Sequence, residues 1–254
     1  MAISLADLKK TKAKPNPLIY IYGVAGVGKD TLAAEFPSPV LICTPGENPP
    51  ADVSIDSFAV ETFDGIVEAI VALYTEDHSF KTLILSAAGG IEKLVWAETC
   101  KREGWKTLEE PGFGKGYVAT DAVWDELLDA IHAVSRDKGM TVILIGHTEI
   151  KNFDDPASTS YSRYQPNMHK RAGERVAAAA DIIAFLNHRV TIKTEKAAFG
   201  TEKKEAAGAG VRMIYLEERP GFIAKNRYNM PDSLQFTKGK GYTALAKFLP
   251  EAGK

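Results

Sequence analysis

Leu18-Ile19-Tyr20-Ile21-Tyr22-Gly23-Val24-Ala25-Gly26-Val27-Gly28-Lys29-Asp30-Thr31 sets an apolar run against a glycine-rich turn, a lysine and the start of a helical stretch at 30–35. A strand that passes through such a turn into a helix is the setting of a phosphate-binding loop. The glycines let successive N–H groups turn inward around a β-phosphate, the helix N-terminus adds partial positive charge, and Lys29 reaches the β and γ oxygens. Gly23, Val24, Ala25, Gly26, Val27, Gly28, Lys29, Asp30 and Thr31 are therefore the candidate cofactor-binding residues. The plainer alternative, a structural glycine turn, leaves the lysine and the following helix without a reason. One position departs from the pattern. The residue after the lysine is normally a Ser or Thr that binds Mg²⁺, and here it is Asp30, with Thr31 one residue late. Asp30 is expected to repel phosphates, which leaves Thr31 as the nearest hydroxyl for a metal.

Working outward, apolar runs bounded by turn residues at 39–43, 82–85, 141–145 and 182–186 read as further buried parallel strands. Helical stretches at 63–74, 91–102 and 120–138 fall between them; in the last, Val123, Trp124, Leu127, Leu128, Ile131 and Val134 recur every three and four residues and mark one buried face. Alternating strands and helices predict an α/β fold, a mainly parallel twisted sheet flanked by helices. After residue 181 the texture changes to β-like stretches at 188–194 and 211–217, expected to be antiparallel and joined through the polar segment 196–210, and a short helix is expected at 244–249. The expected organisation is an N-terminal extension at 1–16, one P-loop domain at 17–231 and a tail at 232–254.

The 254 residues are 45% hydrophobic and 25% charged, as in an ordinary globular chain with one large core. No apolar run approaches the roughly 18 residues needed to cross a bilayer. Residues 1–17 are lysine-bearing without the apolar centre of a secretory signal, so a cytoplasmic location is expected. Two cysteines and five scattered histidines offer neither a disulfide framework nor zinc spacing. The net charge of −2 hides an asymmetry. Up to residue 150 there are 13 Lys/Arg against 22 Asp/Glu, and beyond it 18 against 11. A polyanion suits the second half if its basic residues share a face, and solvated surface is the alternative.

Three further places carry chemistry. The run at 81–85 ends in Ser86-Ala87-Ala88, where a P-loop ATPase ends in an Asp that holds Mg²⁺; Ser86 is at most a weak outer-sphere ligand, and no acid follows until Glu92. The run at 141–145 ends in Gly146-His147-Thr148-Glu149, which makes His147 a candidate γ-phosphate sensor or, more plainly, a strand cap. The loop after it combines Phe153, Tyr161 and Tyr164 with Lys151, Arg163, Lys170, Arg171 and Arg175. Aromatics interleaved with cations suit single-stranded nucleic acid, by base stacking and phosphate contact. A second such loop, at 105–117, carries Lys106, Phe113, Lys115 and Tyr117.

The order of these elements, with Glu98-Thr99-Cys100-Lys101-Arg102-Glu103-Gly104-Trp105, Gly112-Phe113-Gly114-Lys115-Gly116-Tyr117, Phe153-Asp154-Asp155-Pro156 and Ala224-Lys225-Asn226-Arg227-Tyr228, resembles the phage RecA-like P-loop ATPases of the AAA type linked to single-strand annealing and recombination. The resemblance spans 17–231. It implies a RecA-like core, ATP and Mg²⁺ as cofactors, single-stranded DNA as partner, a homo-oligomeric ring or filament, a phage or host single-strand-binding protein as a further partner, and no membrane. The Lys-Asn-Arg-aromatic element is similar to one in the RadA branch, which implies that Lys225 and Arg227 reach a neighbouring subunit's nucleotide. The family's catalytic acid beyond the second strand has Glu47, displaced within Thr44-Pro45-Gly46-Glu47, as its nearest counterpart. Asp30, Pro45 and Ser86 all occupy expected catalytic positions, so hydrolysis is expected to be weakened or lost. Two other readings stay open: a nucleoside monophosphate kinase-like phosphotransferase with 161–175 as an arginine-bearing lid, and a non-catalytic scaffold.

Overall fold

The computed structural model describes residues 16–49, 51, 53–154, 159–189, 191–196, 202–207 and 210–250, with the backbone alone at 191–196 and 202–207. Residues 1–15 of the expected extension, Asp155 and Pro156, residues 197–201, 208 and 209 of the expected polar connection, and 251–254 lie outside the described residues.

In chain order the elements are β1 (Leu18–Gly23), α1 (Lys29–Ala34), β2 (Pro39–Cys43), β3 (Asp56–Ala59), α2 (Phe63–Thr75), β4 (Thr82–Ser86), α3 (Ala88–Glu103), α4 (Lys115–Lys138), β5 (Thr141–Phe153), β6 (Tyr161–Pro166), α5 (Lys170–Ala179), β7 (Ile182–His188), β8 (Thr191–Lys196), β9 (Glu202–Ala207), β10 (Arg212–Tyr215), β11 (Lys225–Asn226), β12 (Ser233–Phe236) and α6 (Gly241–Ala246). The main sheet runs β12-β10-β7-β1-β5-β4-β2-β3, with β11 beside β7 and β6 beside β5. From β3 to β7 the pairs are parallel, and β10, β11 and β12 add antiparallel strands at the other end.

The period of two along β1 explains the layering. Leu18, Tyr20 and Tyr22 enter one core with α2, α3, α4 and α5, while Ile19 and Ile21 enter a second core with α1 and α6 on the opposite face. All five are buried. Each such large side chain contributes roughly 1.5–3 kcal/mol relative to leaving it in water. Thr62 starts α2 by accepting the Gly65 N–H at 3.0 Å, which satisfies one of the helix's open donors.

Several boundaries differ from expectation, each for a physical reason. α4 starts at Lys115 instead of 120, so Lys115 and Tyr117 stand on its first turn and not in a loop. β5 continues to Phe153 and β6 pairs antiparallel with it, so residues 151–153 and 161–166 are strands and α5 follows at 170–179 where a loop was expected. The apolar residues of this stretch, among them Phe153, Tyr161 and Tyr164, are too sparse in sequence to show a strand period. β12 and α6 belong to the core, since β12 pairs with β10, and Phe236 and Leu245 are buried beside Leu32. Residues 233–246 therefore pack as part of the domain and not as a tail, with α6 three residues earlier than expected. The stretch 188–194 divides between the end of β7 and β8; β8 pairs with β9, and β10 returns to β7. No described helix is long and apolar enough to cross a membrane.

Candidate functional site

β1 delivers the glycine-rich turn to the C-terminal edge of the parallel sheet, where an α/β fold places ligands. Gly23 must be glycine because β7 lies so close that a Cβ would stand 2.2 Å from the Leu186 carbonyl oxygen. Gly28, with φ at +96°, is the left-handed residue that turns the chain into α1. Lys29 is 4% exposed and donates to the carbonyls of Gly23 at 3.1 Å and Val24 at 3.2 Å. Burial lowers its pKa, and the charges of Asp30 and Glu47 oppose that shift. The lysine thus folds the loop around the place where phosphate oxygens would replace the carbonyls.

Three strands, β4, β2 and β5, bring the other expected residues to this edge. Ser86, at the end of β4, donates to Asp30 Oδ1 at 3.2 Å. Cys43 is the register partner of Ser86 at the end of β2, and beyond it Thr44 ties the two strands, donating to the Ser86 carbonyl at 3.1 Å and accepting the Ala87 N–H at 3.2 Å. Glu47 follows and meets His147 Nε2 at 3.4 Å, while His147 itself is the register partner of Gly23. Lys29, Asp30, Glu47, Ser86 and His147 therefore converge. The Thr31 hydroxyl, on α1, has no side-chain hydrogen bond to this group among the described residues. Glu92, the first acid after Ser86, is elsewhere engaged: its Oε1 accepts the His169 N–H at 2.9 Å, and burial raises its pKa.

The donor set tests whether a metal fits. Among the described residues no group of three or more His, Cys, Asp and Glu side chains is placed to hold an ion. One carboxylate and one hydroxyl beside a phosphate cradle do fit Mg²⁺, which is commonly bound through one or two carboxylates plus substrate phosphates and water.

Arg212 is a neighbour that the sequence reading missed. Its Nη1 lies 3.8 Å from where a Gly28 Cβ would stand, and among the described residues it has no ion pair. It reaches the loop because β10 is two strands away from β1, across β7. No local pattern signals that placement.

Beyond His147, β5 and β6 lean with α5 over a cavity of about 560 Å³ lined by Lys151, Phe153, Arg163, Lys170 and Tyr20, among others. Four of the expected nucleic-acid residues thus share one wall. Lys151 and Arg163 are directly opposed in the ladder, an arrangement that like charges disfavour; Glu149 pairs with Lys151 at 2.7 Å and Glu218 with Arg163 at 3.3 Å. The Arg163 guanidinium stands 3.9 Å from the Phe153 ring centre, and its buried Nε has no acceptor. Tyr161 faces Phe153 across the strands with ring centres 5.5 Å apart. Tyr164 instead packs on Phe185 at 5.2 Å, against the core.

The remaining expected residues are dispersed. Arg171 and Arg175 form ion pairs with Asp121, and Arg175 also with Asp125, which locks α5 to α4. Lys170 lies 3.9 Å from Glu174. Tyr117 stacks on His169 at 4.3 Å and donates to Glu109, while Phe113 is fully exposed between two left-handed glycines, near the exposed Lys106 and Lys115. Lys225, expected to cross to a neighbour, donates to the Ala177 and Ala178 carbonyls at 2.7 and 3.2 Å and so caps its own α5. Arg227 is half exposed and pairs with Asp181 at 3.3 Å.

A family described as AAA domain matches residues 16–228. The crystal structure of the RadB recombinase is similar, with a TM-score of 0.50 and 14% identity over 87% of each chain, a likeness that speaks for the RecA-like fold. No curated protein matches.

Proposed function

Since the chain belongs to the AAA-domain family, we propose that it is a RecA-like nucleotide-binding protein of recombination that holds ATP with Mg²⁺ at the Gly23–Thr31 loop and single-stranded DNA at the β5–β6 hairpin. The observation that carries the reading is continuity along β5. His147, at the nucleotide edge, lies six residues before Phe153 on the same strand, which ends in the aromatic and cationic cavity.

In this reading the loop amides, Lys29 and Arg212 hold the phosphates. Asp30 and Ser86, which meet at 3.2 Å, are the residues that would hold Mg²⁺, and the ion would neutralise phosphate charge. Glu47 and His147, which meet at 3.4 Å, would face the γ-phosphate, Glu47 as the candidate catalytic carboxylate and His147 as the group that would pass its presence to the hairpin. Hydrolysis is slow, because the loop offers a carboxylate where a hydroxyl normally holds Mg²⁺. At the hairpin, Phe153 and Tyr161 stack bases while Lys151, Arg163 and Lys170 meet the backbone. The exposed Phe113, Lys106 and Lys115 extend that surface, and Arg227 faces outward toward a second subunit in a ring or filament. A phage recombination system, with its single-strand-binding protein, fits the same chemistry.

The test is titration of a labelled single strand at several salt concentrations, with mass followed by light scattering. Binding tighter than to duplex, falling as salt releases phosphate contacts and weakened by Arg163→Ala, is expected. Equal binding of duplex, or no effect of Arg163→Ala, overturns the DNA assignment.

A further inference from the structure

We propose that Asp30 and Ser86 form a divalent-cation site in which the carboxylate and the hydroxyl have exchanged sides, Asp30 ligating the ion from the phosphate loop and Ser86 holding that carboxylate from the end of β4. The inference rests on the nucleotide reading above. P-loop ATPases take the hydroxyl from the loop and the carboxylate from the strand. Here the loop side chain is longer by one bond and the strand side chain shorter by one, and the two still meet at 3.2 Å although 56 residues separate them. The site keeps its formal charge: one carboxylate, one hydroxyl and the Lys29 ammonium.

Three observations support an exchange over the loss of both ligands. Ser86 is 4% exposed, the C=O and N–H of the peptide it forms with Ala87 both bond the buried Thr44 hydroxyl, and its Oγ donates to Asp30. Among the described residues no other hydrogen bond engages the Asp30 carboxylate, which leaves its remaining lone pairs available to an ion. Asp30 also borders a small gap walled by Leu41, Ile84 and Ile145; a carboxylate against apolar walls is costly without a compensating charge. Mg²⁺ prefers oxygen ligands and retains waters, so it needs only this carboxylate and the phosphates. Asp30 thereby contributes to a ligand site instead of simply repelling the nucleotide.

The experiment reads binding. Mn²⁺ is titrated into the full chain with ADP and free ion is followed by electron paramagnetic resonance, while ADP affinity is measured separately in EDTA. Asp30→Asn is expected to weaken Mn²⁺ by about 10–100-fold, the range that altered metal surroundings commonly cost, and Ser86→Ala by less. The exchanged pair, Asp30→Ser with Ser86→Asp, is expected to recover affinity close to that of the unaltered chain, which Asp30→Ser alone does not. A melting curve for each variant separates folding from binding, and the exchanged pair keeps the test open if Asp30→Asn does not fold. Unchanged Mn²⁺ affinity in Asp30→Asn, or an exchanged pair as weak as Asp30→Ser, overturns the proposal while ADP still binds in EDTA. A chain that binds no ADP in EDTA or with Mn²⁺ overturns the nucleotide reading, and the exchange with it.

Discussion

The phosphate loop and the β5–β6 hairpin hang from neighbouring strands, yet they leave different groups open to a ligand. At the loop, Lys29 is bonded to loop carbonyls, Asp30 to Ser86, and Glu47 to His147. A ligand there must replace bonds that already exist, which selects for phosphate geometry. At the hairpin, Lys151 and Arg163 oppose each other across the ladder and Arg163 keeps a buried N–H without an acceptor. A buried donor left in that state costs free energy until something accepts from it. Both regions pair their charges, Lys151 with Glu149 and Arg163 with Glu218 at the hairpin, but the hairpin also keeps one buried donor, Arg163 Nε, without an acceptor. The α4–α5 edge shows what fully committed cations look like, with Arg171 and Arg175 both tied to Asp121.

Restoring the usual arrangement at the loop gives the largest expected change. Asp30→Thr with Ser86→Asp should raise Mg²⁺-dependent phosphate release by about a hundredfold, the scale of one well-placed electrostatic stabiliser. Equally fast release from the unaltered chain would show that the closed loop is already competent. At the hairpin, Phe153→Ala should weaken single-stranded DNA by about 1–3 kcal/mol, the value of one stacked base, and leave ADP affinity unchanged when both are titrated on one preparation. A loss of both would mean that the two regions are not separable.

The committed edge supplies a pH test. Burial pushes the Asp121 carboxyl up, but hydrogen bonds and charge from Arg175 and Arg171 outweigh it and hold the pKa down at about 2. An unfolded Asp titrates near 3.9. A depressed carboxylate gives stability that is complete above the unfolded value and lost as pH falls through the folded one. Asp121→Asn should therefore lower stability by about 1 kcal/mol at neutral pH, modest because solvent screens the partly exposed arginine ends. Chemical denaturation should show that difference shrinking between about pH 4 and pH 2. The smallest effect belongs to Arg171→Ala, whose loss of DNA affinity should fall below that of Arg163→Ala in parallel titrations.

What the sequence revealed follows the same division. The loop was legible because strand, glycines, lysine and helix are contiguous, and because β-branched runs such as 82–85 are buried on both faces. The contact between Asp30 and Ser86 was not, since it depends on β4 and β1 flanking β5. Arg212 and the caps made by Lys225 are non-local in the same way. The hairpin was read as a loop because its polar residues alternate with too few apolar ones, although its aromatics and cations were picked out by type. Arg171 and Arg175 belong to that set by composition alone; the acids that engage them lie on a helix about 50 residues earlier in the chain.

Coupling between the two regions is measured by titrating a labelled single strand against the chain with and without ATP and Mg²⁺, in the unaltered protein and in Lys29→Met. A nucleotide bound at the loop and sensed at His147 should tighten single-stranded DNA by about fivefold or more, the lower range of measured coupling between sites. Lys29→Met should bind DNA like the nucleotide-free protein under both conditions. Identical affinity with and without nucleotide in the unaltered chain, while ADP demonstrably occupies the loop, would contradict the account.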